Sequence, residues 1–338
     1  MIFNQGTGGG GASLSPIIVV SAPTGSTVTC KKGSTVLTAE ESSGTWSFAI
    51  PAYGTWTVTC VNSGRTVEKT VEVTAIEVYF VTFEFIPDVL NNATWAQVKH
   101  ASDSGVASNY WSVGDTKKIT MNGKVSDGLT LSSYSTYVYI IGFNHNKDVE
   151  GTGIAFGGFK TAASGGIDVA LCDSAYPNSK TSGQWFNMNN SNTNGGGWSS
   201  SRMRSTTLPL VKSALPSDLQ AVLKTTTIYS DNTGGGSDVA SYVTATQDEL
   251  YLLAEFEIFG ARTYANSAER NYQKQYAYYV AGNSKIKYRH DSTATAVFWW
   301  GRSVRAAASG YFCYVAADGT ATNYSARYSS GLAVAFKI

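Results

Sequence analysis

Between Ile17 and Val73, apolar and polar residues alternate in short runs separated by turn residues, with Gly33, Gly44, Gly54 and Gly64 in the gaps. The runs Ile17–Ser21, Ser26–Cys30, Thr45–Ile50, Thr55–Val61 and Thr66–Val73 therefore predict strands. Alternation points Val28 and Cys30, then Trp46, Phe48 and Ile50, then Trp56, Val58 and Cys60 to one inner face. Such strand and turn spacing predicts a small all-β, immunoglobulin-like sandwich over residues 13–76. It carries no chemistry-bearing cluster, so a spacer or docking role follows. Residues 1–12, with Gly8 to Gly11 consecutive, have too few core-forming side chains to fold alone and predict a flexible arm that orders against a partner.

Residues 77–338 follow a different pattern, mixed α+β with long loops. Val78 to Ile86 is apolar on both faces and is expected to bridge into this second domain. Asn92 is expected to cap a short helix that turns Trp95 and Val98 inward. Strands are expected at Lys118–Val125 and Tyr137–Phe143. A helical stretch runs from Leu208 to Lys224, broken at Pro216, where Ser217 caps the half carrying Leu219, Val222 and Leu223. Leu250–Phe259 leans to strand, and Asn266 to Tyr279 reads as a Tyr- and Gln-rich helix. Strands return at Ala296–Trp300, Tyr311–Val315 and Leu332–Ile338, with Asp318-Gly319 as a hairpin turn. Polar, Gly-rich loops occupy 187–198 and 230–238.

Charged residues are 14% of the 338, against about 25% in ordinary domains, and the net charge is +1. Without a basic stripe, nucleic acid is not an expected partner. No apolar run approaches the length that spans a bilayer, so membrane insertion is not expected either. The segment Met1 to Gly6 has neither a basic region nor an apolar one, so no signal peptide is expected and synthesis in a cytosol is. The four cysteines form no CxxC pair, which argues against a structural zinc site. Cys30 and Cys60 are read as two buried thiols, a disulfide being the alternative; Cys172 and Cys313 read as small buried hydrophobes.

The search for catalytic groups ends without one. His100, His145 and His290 are scattered, and His290-Asp291-Ser292 is contiguous where triad members converge from separate elements. On a strand, Glu255 and Glu257 would share a face as paired carboxylates; the alternative is a structural network with Arg262 or backbone groups. Gly151-x-Gly153 with Gly157-Gly158 lacks the βαβ context of a dinucleotide site. Asp231 with Gly234 to Asp238 is only a faint calcium turn, and a flexible loop is the plainer reading. No catalytic residue, metal or cofactor is therefore expected.

Residues 302–330, RSVRAAASGYFCYVAADGTATNYSARYSS, contain no Lys, Glu, Gln, Met or Trp. Tyr with Ser, Gly and Asn is the composition of adaptable binding surfaces, although an exposed polar hairpin shares it.

The order Trp95…Trp111-Ser-Val-Gly-Asp115, Tyr139-Ile-Ile-Gly-Phe-Asn-His145, Asp248-Glu-Leu-Tyr-Leu-Leu253-Ala-Glu255-Phe-Glu257-Ile-Phe-Gly260, Phe298-Trp-Trp-Gly-Arg-Ser303 and Gly331-Leu-Ala-Val-Ala-Phe336 resembles a domain of formally unknown function. That domain is widespread in Gram-positive bacteria and their phages. Its C-terminal half looks like the C-type-lectin fold of the variable proteins mutated by diversity-generating retroelements. The resemblance spans roughly residues 87–338 and implies an α+β C-type-lectin-like domain. The sandwich, with Gly54-Thr-Trp-Thr-Val-Thr59, is similar to modules of phage tail proteins.

Retroelement mutagenesis acts at template adenines, and varied Asn codons ending in a pyrimidine never yield Lys, Glu, Gln, Met or Trp. The resemblance therefore implies varied, ligand-binding positions at Ala306, Ala307, Ala308, Ser309, Tyr311, Tyr314, Ala316, Ala317, Thr320, Thr322, Asn323, Tyr324, Arg327, Tyr328 and Ser330. Phe312, Cys313, Val315, Asp318, Gly319 and Ala326 would be scaffold. Adjacent Phe312 and Cys313 would both face inward only across a bulge. The sugar-and-calcium tripeptides of lectins are absent, so calcium-dependent sugar binding is not implied. Val304 and Val334 stand where the family has prolines, and lone Cys313 does not reproduce the cysteines of formylglycine-generating enzymes.

The function expected from residues and resemblance together is a phage virion protein that binds the host surface. The arm and sandwich would attach it to other virion proteins. The lectin-like domain would engage a host cell-surface receptor, protein or glycan, through Tyr311, Tyr314, Tyr324 and Tyr328 as anchors and Arg327 as charged contact. A homo-oligomer, such as a trimer, is an expected assembly. The alternatives are a capsid or tail decoration protein without a receptor, and a glycan-modifying enzyme using Glu255 and Glu257.

Overall fold

The structure is a computed structural model that describes residues 14–338; the expected arm at 1–12 lies outside the described residues. The chain divides into two compact units, one ending at Phe85 and the other comprising Ile86–Ile338, and strands predominate over helices.

The first unit contains β1 (Ile17–Ser21), β2 (Thr27–Lys32), β3 (Thr35–Thr38), β4 (Thr45–Ala49), β5 (Gly54–Asn62), β6 (Arg65–Val73) and β7 (Val78–Thr82). They form two sheets, β4-β1-β7 and β3-β2-β5-β6. The inner face follows the alternation: Val28, Cys30, Trp46, Phe48, Ile50, Trp56, Val58 and Cys60 share one apolar cluster with Ile18 and Val20. Val78–Ile86 runs from this unit to the first residue of the second, Ile86, but most of it belongs to this unit. Its first half, β7, pairs in parallel with β1, setting Val81 beside Val20 and burying it in this unit, while Phe80 is 79% exposed. Cys30 and Cys60 are buried free thiols on neighbouring strands. Burial pushes both upward in pKa, Cys30 to about 11.

The second unit interleaves helices α1 (Trp95–Asp103), α2 (Lys147–Glu150), α3 (Leu208–Ala214), α4 (Ser217–Gln220), α5 (Glu255–Phe259) and α6 (Ala277–Val280) with thirteen strands. These are β8 (Thr116–Ser126), β9 (Leu129–Phe143), β10 (Ile154–Lys160), β11 (Asp168–Ala170), β12 (Thr226–Asp231), β13 (Val243–Asp248), β14 (Leu250–Tyr251), β15 (Lys287–Arg289), β16 (Ser292–Val297), β17 (Trp299–Val304), β18 (Tyr311–Val315), β19 (Ala321–Ser325) and β20 (Ala335–Lys337). The largest sheet is centred on β10, which pairs antiparallel with β9, β11 and β20. Trp95, Trp111, Phe156, Trp198, Trp299, Trp300 and Phe336 are buried in one core.

Several local expectations change for identifiable reasons. Helix α1 begins two residues after Asn92, at a Thr94 cap: the Gln97 N–H donates to Thr94 Oγ1 and the Thr94 N–H to Gln97 Oε1. Trp95 and Val98 are buried on its inner face. Pro216 occupies the cap position of α4, and Ser217 is its first helical residue. Leu250–Phe259 is strand only at β14. The chain then turns into α5, whose Glu257 accepts from the Ala254 N–H and whose end is Gly260 in the left-handed region at φ +70°. Asn266–Tyr279 is not one helix but a 3-10 turn (Ser267–Asn271), an extended stretch and α6. Here tertiary contacts override propensity. Tyr276 stacks on His145 at 3.6 Å between centroids, and Gln273 donates to the Tyr229 carbonyl. Ala296–Trp300 breaks at Phe298, between β16 of the large sheet and β17 of another. Of Leu332–Ile338 only β20 is strand, while Leu332 bridges to Leu171.

Candidate functional site

Strands β17, β18 and β19 form a separate antiparallel sheet with β19 at its edge. Register between β18 and β19 is unbroken from Tyr311↔Ser325 to Val315↔Ala321. The hairpin turns at Asp318-Gly319, as expected: the Ala316 N–H donates to the Thr320 carbonyl, and Asp318 accepts from the Thr320 N–H and hydroxyl. Those bonds to Thr320 hold the Asp318 carboxyl below its ordinary pKa. The bulge expected at Phe312-Cys313 is instead in β17, where Trp300 faces Tyr314 and Val304 faces Phe312. Both neighbours are buried because β18 is covered on both sides. Phe312 packs into the main core, and Cys313 packs against Phe256 and Ala265.

The expected binding positions divide by exposure. Ala307, Ser309, Thr320 and Tyr324 are exposed; Ala308, Tyr311, Ala316, Ala317, Thr322, Asn323, Arg327 and Tyr328 are half-buried. Ala306, Tyr314 and Ser330 are buried and offer no free surface. Tyr314 is enclosed because its ring lies between Phe298 at 5.1 Å and Tyr324 at 5.5 Å, all three nearly parallel, with Trp300 alongside. Burial pushes its hydroxyl well above the usual range. Ser330 donates to the Phe298 carbonyl. Of the expected scaffold residues, Phe312, Cys313, Val315 and Ala326 are buried, while Asp318 is exposed and Gly319 half-buried at the hairpin turn. Phe298, 38% exposed and outside the segment singled out by composition, extends the aromatic row that continues through Tyr324 to Tyr328.

Beneath the ribbon, Arg302 is completely buried. Its guanidinium grips Glu257 through two bonds, at 2.6 and 2.5 Å, and also donates to Ser230 Oγ and the Leu252 carbonyl. The partner of Glu257 is thus Arg302 and not Arg262, which pairs with Asp238 at 2.7 Å. Close by, Glu269 accepts from Ser303 Oγ, the Asp231 N–H and Gln273. Burial pushes its carboxyl up to about 7, against the pull of these donors and of Arg302. The folded state therefore holds more protons than the unfolded one between about pH 4.5 and 7, and stability should fall as pH rises through that window. His290, lowered by burial, works in the opposite sense near the upper end. The difference between wild type and Glu269→Gln isolates the effect. In urea titrations from pH 4.5 to 8, the wild type should lose stability relative to the variant, and parallel curves would contradict it.

The loops taken from sequence as mere interruptions hold the ribbon in place. Asn194, fully buried, donates through Nδ2 to the carbonyls of Ala308 (2.8 Å), Tyr311 (3.0 Å) and, more weakly, Arg305 (3.4 Å). Its N–H donates to the Ser309 carbonyl, and its Oδ1 accepts from the Gly235 N–H. Asn192 Oδ1 accepts from Ser325 Oγ, and the Asn189 N–H donates to the Ala326 carbonyl. Asp231 accepts from the N–H groups of Thr233 and Gly234 and from Asn266 Nδ2, so the faint calcium turn is a closed hydrogen-bond system. Asn189, Asn192 and Asn194 read as flexible in sequence because their partners on the ribbon lie more than a hundred residues away; only the Asn density of 187–194 hints at the role.

The other chemical candidates are placed apart. Glu255 accepts from the N–H groups of Thr263, Tyr264 and Ala265, so it and Glu257, both on α5, present no paired-carboxylate face. His290 Nδ1 accepts from the Cys172 N–H, and His145 is bound between Glu150 and the Lys274 carbonyl. His100 is exposed on α1. Gly157 and Gly158 lie inside β10. Among the described residues, no three His, Cys, Asp or Glu side chains converge as metal ligands, and no helix is long and apolar enough to cross a membrane.

Ribbon, buried arginine and supporting loops all fall within one stretch of chain that a family model matches. Residues 171–338 match the family model of DUF6273, a domain of unknown function. No curated protein matches the chain. The matched stretch takes in Asn194, Glu257, Arg302 and the whole β17–β19 sheet, while β1 to β11 precede it.

Proposed function

We propose that the β17–β19 ribbon and the loop at 305–311 form a noncovalent binding surface, and that the protein is a phage virion component that recognises a host cell-surface receptor. The C-terminal unit is read as C-type-lectin-like, and the first unit as an immunoglobulin-like module that joins it to other virion proteins. One observation carries the reading. On the ribbon the scaffold residues Phe312, Cys313, Val315 and Ala326 are buried and Asp318 and Gly319 make the hairpin turn, whereas twelve of the fifteen positions expected to vary are exposed or half-buried. Tyr supplies rigid contact area at low entropic cost, and the small polar residues adapt. Several copies on one particle would multiply weak contacts. The enzymatic alternative has lost the shared carboxylate face it required. Tyr311, Tyr324 and Tyr328 remain as anchors; Tyr314 acts through packing.

The test is adsorption of the purified protein to a panel of intact Gram-positive bacteria. Binding to at least one strain is expected, and at least a tenfold loss when Tyr311, Tyr324 and Tyr328 are all changed to Ala. Unchanged adsorption by a folded triple variant would remove the ribbon as the contact surface.

A further inference from the structure

We propose that Asn194 is the positioning residue of this surface: its side-chain amide sets the backbone of residues 305–311 in one conformation, whatever side chains stand at the exposed positions 307 and 309. The inference rests on reading 305–330 as the binding surface, and extends it from which residues touch a ligand to what presents them.

Three observations converge. First, the bonds from Asn194 to this loop end on backbone atoms: Nδ2 on the carbonyls of Arg305, Ala308 and Tyr311, and the Asn194 N–H on that of Ser309. A primary amide has two N–H donors and one carbonyl, so it can serve several loop carbonyls while its oxygen accepts elsewhere. Here Oδ1 takes the Gly235 N–H at 2.9 Å, which fixes the direction in which the amide points. Reversed, it would set an oxygen against three carbonyl oxygens.

Second, the support approaches the loop so closely that only glycine leaves room, against backbone at Gly236 and against the Asn192 side chain at Gly310. A Cβ on Gly236 would lie 3.0 Å from the Ser309 nitrogen, and one on Gly310 would lie 2.8 Å from Asn192 Oδ1. Glycine at these places lets 234–236 and 192–194 close on the loop. Third, the loop also holds itself through its main chain. The Arg305 N–H donates to the Tyr311 carbonyl, Ala308 N–H to Arg305 and Ala306 N–H to Tyr264. Ala307 and Ser309 are exposed, and no hydrogen bond in this arrangement uses their side chains. Their identity can therefore change without loosening the clamp. A loop fixed before contact also loses less conformational entropy on binding.

The experiment is amide hydrogen exchange on the full chain, with thermal unfolding alongside. Asn194→Asp keeps size but replaces the donor with an acceptor. It is expected to speed exchange at Arg305, Ala306 and Ala308 at least tenfold while the amides paired between β8 and β9 are unchanged. The double variant Ala307→Tyr, Ser309→Tyr is expected to keep loop exchange within twofold of wild type and the melting point unchanged. Should Asn194→Asp fail to fold, Asn194→Ser, which keeps a single donor, is expected to give a smaller acceleration confined to the same loop. Loop amides that exchange at wild-type rates in folded Asn194 variants, acceleration equal at β8 and β9, or a loop loosened by the tyrosines would each overturn the proposal. Cell adsorption is not read here. A protein that adsorbs to no cell fails the functional reading and leaves the clamp standing; one that adsorbs with an unclamped loop fails the clamp alone.

Discussion

Arg302→Ala is expected to cost the C-terminal unit about 3–5 kcal/mol, because it leaves the Glu257 carboxylate buried without its counter-charge. In a unit of this size that corresponds to a melting point lower by about 10 °C. Loss of the Coulomb partner is only part of the effect. The guanidinium also satisfies Ser230 Oγ and the Leu252 carbonyl, so truncation orphans acceptors on β12 and between β14 and α5 at once. Arg302→Lys should recover little, since a single ammonium cannot reproduce the two-pronged grip on Glu257 and reach Ser230 as well. Replacing both partners, Arg302→Met with Glu257→Leu, should be much closer to wild type than either single change, because no charge is then stranded. Urea unfolding of the four proteins measures the coupling. A double variant as unstable as the sum of the singles would mean the pair is not the source of the loss.

Gly197→Ala is expected to be comparably severe for a steric reason. At φ +54° an L side chain is already strained, and its Cβ would stand 2.0 Å from the Asp231 carbonyl oxygen and 2.6 Å from the Asn232 Cα. Neither is the end of a flexible side chain, so the 194–197 loop and the end of β12 must separate. Left-handed strain plus overpacking suggests a loss of about 2–5 kcal/mol. The displaced backbone carries Asn194, so loop 305–311 should loosen in exchange experiments even where the variant still folds. A soluble variant with wild-type melting and wild-type exchange at Ala306 and Ala308 would contradict this account. Gly64→Ala is a useful contrast. Its φ is also positive, but nothing lies within 4 Å of the added carbon, so only the backbone strain should register.

How much of this was readable from sequence depended on the range of the interactions involved. Strands of the first unit were legible because a two-residue period needs only local information, and Trp46, Phe48, Trp56 and Val58 are buried as alternation requires. The hairpin at Asp318-Gly319 was legible for the same reason. Leu250–Phe259 was not, since its apolar composition suits strand or buried helix equally and the deciding bond, Glu257 to the Ala254 N–H, follows from where Arg302 holds that carboxylate. At the candidate site, composition singled out a stretch of chain but not which side chains emerge from it. Tyr314 and Tyr324 look alike in sequence, and only the stack with Phe298 shows that one is enclosed and the other open. Asn194 was passed over because a buried amide serving carbonyls of residues 305, 308 and 311 is indistinguishable, in sequence, from any asparagine in a polar loop.

The burial of all four cysteines has a practical corollary. Cys30, Cys60, Cys172 and Cys313 are free thiols whose pKa values are raised by burial, Cys172 to about 12, so at neutral pH almost none is present as the reactive thiolate. Toward maleimides the native protein should be nearly silent. A cysteine placed at Ser309 would then be a single addressable handle, and a fluorophore attached there would report whether the proposed surface meets a ligand, with no need to remove the native cysteines.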